Sequence, residues 1–215
     1  WHYDQEGSEA DFHPVHRLDR GTSGLMVVAK HPHAQERLKE QLHTADFFRE
    51  YLAVCDGCPR PKTGVVDAPL GPKPGSLVEQ MVRPDGKPAR TRYTVRLERE
   101  GRSLLRLALD TGRTHQIRVH MAHIGHPILG DTVYGNKKPV PGLQGQCLHA
   151  VGLQFVHPRT GELVKLACPL PEEFEKQLKK YRNMAWSGCS YVWNGRVRCD
   201  CLWMEPKAAS FGRER

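Results

Sequence analysis

A single carboxylate stands between two arginines in His16-Arg17-Leu18-Asp19-Arg20-Gly21-Thr22-Ser23-Gly24-Leu25. The adjacent cations favour the ionised form of Asp19. That suits a nucleophile or a stabiliser of positive charge better than a proton donor. On spacing alone, a turn aspartate with two solvated arginines reads the same way. A second cluster is Gly112-Arg113-Thr114-His115-Gln116-Ile117-Arg118-Val119-His120-Met121. Thr114 is the expected N-cap of a helix, with Arg118 four residues on and Arg113 and Gln116 at or near the N-terminus. Side chains and helix dipole together would suit a phosphate there, although a surface helix with solvated arginines has the same pattern. His115, His120, His123 and His126 raise the question of a metal, His120 and His123 being i,i+3 neighbours. No H-E-x-x-H arrangement accompanies them, and the nearest downstream carboxylate is Asp131, so no metal site is expected. Phe12, Phe48, Tyr51, Tyr93 and Tyr134 could stack on a base, each being otherwise a core aromatic.

The elements that would hold these residues are strand-rich. The apolar run Leu25-Met26-Val27-Val28 predicts a buried strand over Ser23–Ala29. Pro32 leads a helix over about 33–43, with Leu38 and Leu42 on its apolar stripe. A second strand covers Glu50–Cys55 and stops at Asp56-Gly57, and the Pro-rich residues 57–90 read as strand fragments joined by turns. Alternation over Arg90–Leu97 and the apolar run Ser103–Leu109, joined across Glu100-Gly101, predict an antiparallel hairpin. The helix after Gly112 buries Ile117, Met121 and Ile124 and ends at Gly125. Residues 135–146 are a Gly/Pro-rich loop, Cys147–Phe155 and Glu162–Ala167 form a further hairpin, and Pro171 opens a last helix with Phe174 and Leu178. The order implies an α+β fold with a mixed, largely antiparallel sheet flanked by helices.

Over 215 residues, 32 Lys and Arg exceed 24 Asp and Glu by 8. That length suits one domain with an appendage and needs no disulfide or metal to sustain a core. The expected division is a domain over 1–184 and an ill-defined tail over 185–215, where Trp and Cys gather without periodicity. The net charge favours a polyanionic partner, nucleic acid first. Seven cysteines without a regular framework fit a reducing compartment. Cys55-x-x-Cys58 would need Cys199 and Cys201 beside it to make a zinc site, and buried or incidental thiols are the simpler reading. The longest apolar run, Leu25–Ala29, is far too short to span a membrane, and the first residues lack the pattern of a secretory signal. A cytoplasmic location follows as the expectation.

Taken together, these segments resemble the RluA-type pseudouridine synthases. His16-Arg17-Leu18-Asp19 with Thr22-Ser23-Gly24-Leu25 resembles their catalytic-acid motif, and Phe48-Arg49-Glu50-Tyr51-Leu52-Ala53 their tyrosine motif. Gly112–His120, continued by His126-Pro127-Ile128-Leu129-Gly130-Asp131, resembles their arginine motif, and Cys147-Leu148-His149-Ala150 the short strand that follows. The resemblance runs in order over about residues 13–183. It implies the isomerisation of uridine in folded RNA, ribosomal RNA first and tRNA next, by a monomer without metal or organic cofactor. By it, Asp19 is the essential carboxylate, attacking the ribose C1′ or the uracil ring or assisting a glycal route. Tyr51 would stack on the freed base and relay its C5 proton, while Arg118 would pair with Asp19. His16, Arg17, Arg20, Arg113, Thr114, His115 and Gln116 would contact RNA, with Arg17 filling the gap left by the flipped base.

Members of this family usually carry several tens of residues before the acid motif, against fifteen here. The sheet is therefore expected to lack an N-terminal strand, which would leave the isolated chain marginally folded. Two readings of other classes stand beside this one: an RNA-binding module without catalysis, and a metal hydrolase built on the histidines.

Overall fold

The computed structural model of the chain describes residues 11–179. In chain order its strands begin with β1 (His13–Pro14), β2 (Ser23–Gly24) and β3 (Val28–Ala29). Helix α1 (Pro32–Glu40) and a 3-10 turn (Gln41–His43) lead to β4 (Phe48–Asp56). Then come β5 (Thr63–Asp67), β6 (Leu70–Pro72), β7 (Gln80–Val82), β8 (Arg90–Arg99) and β9 (Arg102–Leu109). Helix α2 (Gln116–His123), β10 (Leu148–Val156), β11 (Leu163–Ala167) and α3 (Glu172–Lys179) complete the order. The main sheet runs β11-β10-β4-β9-β8-β5, all antiparallel, and β2 joins β10 in parallel. This is the mixed, largely antiparallel α+β arrangement expected.

Local chemistry explains several elements. Glu100 and Gly101 take φ of 49° and 72°, the left-handed pair that closes a tight hairpin between β8 and β9. At the end of α2, Gly125 sits at φ 81° and the amide of His126 bonds the Met121 carbonyl, closing the helix where expected. Strand β4 lies between β10 and β9, and six of its nine residues are buried, so it lacks the alternation of a half-exposed strand. Leu105 and Leu107 on β9 are fully buried against Ile117 and Met121 of α2, each burial stabilising by about 1.5–3 kcal/mol. A second, smaller core gathers Val15, Val27, Leu38, Phe47 and Leu153 under the N-terminal loop and α1.

Three expectations change. The strand over Ser23–Ala29 is broken into two pieces, because β10 offers β2 only the register of His149 and Ala150 before β11 takes the same edge. Between them the amide of Val27 bonds the His16 ring and Met26 is exposed, as is Val28 at the start of β3. The N-cap of α2 is His115 at φ 55°, not Thr114, which lies outside the helix. The third concerns the face of α2: residues 116–121 are all buried, so its polar side chains need protein partners. His120 finds two, Thr91 Oγ1 at 2.8 Å and the Ala68 carbonyl at 2.9 Å. The tail expected over 185–215, with Cys199 and Cys201, lies outside the described residues. Among the described residues no helix is long and apolar enough to cross a membrane.

Candidate active site

The loop bearing Asp19 is tied at both ends. The Thr22 amide bonds the Asp19 carbonyl at 2.9 Å, and β2 anchors the loop to β10. Gln146, from the far Gly/Pro-rich loop, donates to the Arg20 carbonyl at 3.0 Å and to Thr22 Oγ1 at 2.7 Å. That closure requires Gly145, where a Cβ would lie 2.9 Å from the Gly21 backbone. The loop therefore holds its carboxylate in place through backbone contacts on several sides.

Asp19 overlooks a cleft of about 390 Å³, a size suited to a small ligand or one nucleotide. His16, Arg17, Tyr51, Arg113, Thr114 and Gln116 line it as well. Tyr51 comes from β4 and is buried; burial first, then Asp19, raises its phenol above the ordinary range, against the opposing charge of Arg49. It therefore keeps its proton at neutral pH. His16 accepts the Val27 amide on Nε2 at 3.2 Å and is held at about 4, by burial first and by Arg49 second. It is neutral and carries its proton on Nδ1.

Arg118 is shared between its expected partner Asp19 and a second carboxylate, which holds it more closely. Its Nε donates to Asp131 Oδ2 at 2.7 Å and its Nη2 to Asp131 Oδ1 at 2.9 Å, while Nη1 stands 3.9 Å from Asp19 Oδ2. The two-pronged bond belongs to Asp131, and Asp19 receives the remaining charge at longer range. Burial pulls the guanidinium pKa down, but the bonds and charge of Asp131, with Asp19, outweigh it and leave it above the ordinary value. Asp131 also accepts the amides of Val133 and Tyr134 at 3.0 Å each. The Tyr134 ring lies under the Arg118 guanidinium at 4.9 Å, and its hydroxyl meets His115 Nδ1 and the Gln80 amide, each at 2.8 Å. Arg118 is thus immobilised before any ligand arrives.

The RNA-contact candidates divide. Arg17 is exposed on the cleft rim, and Arg113 and Thr114 line the cleft. Arg20 is exposed but off the lining, and His115 is engaged with Tyr134 behind it. Gln116 is buried: Oε1 accepts from Thr111 Oγ1 and the Arg113 amide, and Nε2 donates to the Arg90 carbonyl and Thr91 Oγ1. Its side chain shapes the loop and is spent on protein. Asp131, Gln146 and Arg49 were not among the expected site residues, and Tyr134 was named only as an aromatic that could stack on a base. For Asp131 a signal existed, since it closes the third quoted segment; the others depend on contacts far apart in sequence.

The family model described as RNA pseudouridylate synthase matches residues 2–123, the stretch that holds Asp19, Tyr51 and Arg118. The chain belongs to that family. It is 43% identical over 178 residues to the uncharacterized RNA pseudouridine synthase YjbO of Bacillus subtilis, covering 83% of this chain and 62% of that protein. Against the ribosomal large subunit pseudouridine synthase D of Nitrosomonas europaea, identity is 44% over 183 residues, covering 82% and 53%. The chain thus spans about half to three-fifths of the length of these relatives. The solved structure of human RNA pseudouridylate synthase domain containing 4 superposes with a TM-score of 0.68 at 28% identity, over 84% of this chain and 80% of that one.

Proposed function

We propose that the protein isomerises uridine in structured RNA to pseudouridine, with ribosomal RNA as the substrate class, in the cytoplasm. The observation that carries the reading is Asp19: a carboxylate over a nucleotide-sized cleft, with Tyr51 in the wall and the Arg118 charge fixed 3.9 Å away. The relatives named for the large ribosomal subunit support the substrate class. The free cysteines Cys55, Cys58, Cys147 and Cys168 fit a reducing compartment.

The reaction exchanges one bond for another. The N1–C1′ bond breaks, the C5–C1′ bond forms, C5 loses a proton and N1 gains one, so no oxidant or co-reactant is needed. Breaking the first bond builds positive character on the ribose, which the fixed carboxylate of Asp19 stabilises. Tyr51, which lines the same cleft, keeps the detached uracil in place while it turns and relays the C5 proton. A uridine inside a stack cannot reach this cleft, so the base must flip, with Arg17 on the rim to occupy the vacated space.

The test is tritium release from unmodified large-subunit ribosomal RNA transcribed with 5-tritiated uridine. Release by the protein, abolished in Asp19→Asn with RNA affinity within a few-fold, is the expected outcome. Substantial turnover by Asp19→Asn would remove the residue from the chemistry.

A further inference from the structure

Strand β4 presents Arg49 two residues before Tyr51, so both project from the same face of the sheet, and both line the Asp19 cleft. Arg49 is only 6% exposed, yet no carboxylate among the described residues pairs with it. The neighbouring Glu50 is taken by Arg106 on β9. What Arg49 has is a long bond from Nη2 to the Thr111 carbonyl at 3.5 Å, and its buried Nε–H has no acceptor. His16 shares that condition. Its Nε2 is occupied by the Val27 amide, and its buried Nδ1–H makes no hydrogen bond of good geometry, only the Arg17 backbone lying near it. The two residues flank one ring, Phe47: the His16 ring lies edge-on at 5.7 Å and the Arg49 guanidinium 5.9 Å from the centroid.

A buried cation without a counterion is costly to the free protein. A structure that keeps one in its cleft, beside a second orphaned donor, is matched to a ligand that brings the missing charge. The pair offers N–H groups and a permanent positive charge, with no acceptor at the orphaned positions. The polar edge of uracil carries the N3–H donor between its two carbonyls, so it fits a donors-only cradle poorly. A phosphodiester offers oxygens and a negative charge, and the guanidinium fork matches two of those oxygens. The walls are built to that shape: at Gly112 a Cβ would stand 2.8 Å from Arg49 Nη1, so any larger residue would push the fork aside.

We propose that Arg49, with the Nδ1–H of His16, forms the subsite for a backbone phosphate adjoining the flipped uridine, an assignment that rests on the function proposed above. Arg49 is then a binding and positioning residue, seating the ribose against Asp19 through the phosphate.

Two arms test this on the full chain. The first needs no RNA: melting curves of the wild type, Arg49→Met and Arg49→Lys, with inorganic phosphate titrated against chloride at equal ionic strength. Phosphate should raise the wild-type Tm, Arg49→Met should lose that response, and in chloride alone Arg49→Met should melt no lower than wild type. If Arg49→Met does not fold, Arg49→Lys carries the arm, with a weakened response expected; one equal to wild type would overturn the role of the fork. The second arm uses a short RNA containing a modified uridine position, with one neutral methylphosphonate linkage moved along it. At one linkage beside the target the wild type should lose at least tenfold in affinity, and Arg49→Met should lose nothing further there. Penalties that add fully at every linkage overturn the proposal, as does an Arg49→Met variant that binds RNA normally and loses only kcat. Because the phosphate melts do not depend on turnover, a protein that fails to isomerise uridine but shows the Arg49-dependent phosphate response separates the two readings.

Discussion

Replacing Asp131 with Asn removes one charge from the most enclosed ion pair in the described residues while keeping the shape of the side chain. Asp131 is 2% exposed. Its Oδ1 accepts Arg118 Nη2–H and the amides of Val133 and Tyr134, and its Oδ2 accepts Arg118 Nε–H. An asparagine that keeps Oδ1 on those three donors turns its own NH₂ toward Nε–H, donor against donor. Breaking a buried pair from one side costs about 3–5 kcal/mol. Asp19, 3.9 Å from Nη1, remains as a counterion and places the expected loss at the lower end, about 3 kcal/mol. Against a typical stability of about 5–15 kcal/mol the protein should still fold. In urea, with a slope of about 2 kcal/mol/M, the midpoint should fall by about 1.5 M with the slope unchanged. The same substitution lets Arg118 swing toward Asp19 and tie up the carboxylate meant for substrate. Tritium release should therefore fall at least tenfold in kcat, with RNA affinity within a few-fold. A midpoint within about 0.3 M of wild type together with normal turnover would refute the argument that Asp131 sets Arg118.

Tyr51→Phe keeps the ring and removes the hydroxyl, so RNA binding should persist while tritium release slows; unchanged release would leave the residue a stacking role alone. His16 sits at about 4 in the folded protein against 6.5 in the unfolded chain, by burial first and the Arg49 charge second. Between those values the unfolded chain binds a proton that the folded one refuses, so this contribution is lost as pH falls from about 6.5 to 4, by about 3 kcal/mol in full. Urea melts of His16→Asn across that window should show a shallower pH dependence than wild type, and an identical slope would contradict the assignment. Gly24→Ala forces a Cβ to 2.3 Å from the Ala150 carbonyl oxygen at φ 114°. It should cost at least about 1–3 kcal/mol and lower turnover by freeing the Asp19 loop from β10, which a melt and the tritium assay together would measure.

What could be read from the sequence is what depends on neighbours along the chain. The turn at Glu100-Gly101 and the end of α2 at Gly125 follow from backbone preferences of one or two residues, and both stand where they were expected. Asp19 and Tyr51 lie in contiguous segments that stand out by their resemblance to family motifs, where residue type and spacing alone left each an ordinary structural reading, and the sheet brings both to one cleft. Tertiary structure decided the partners. Arg118 meets Asp131 thirteen residues away, because the chain after α2 folds back beneath the helix; no local rule chooses that carboxylate over Asp19. Gln116 belongs to the turn at Thr111 and the edge of β8, since a helix buried on every side must satisfy its polar groups internally. The apolar run after Ser23 looks like one strand, yet the free edge of β10 is too short to pair all of it. Arg49 shows the limit most plainly. Its charge is evident in the sequence, but its lack of a counterion among the described residues is a fact about what packs around it, and only the folded chain reveals it.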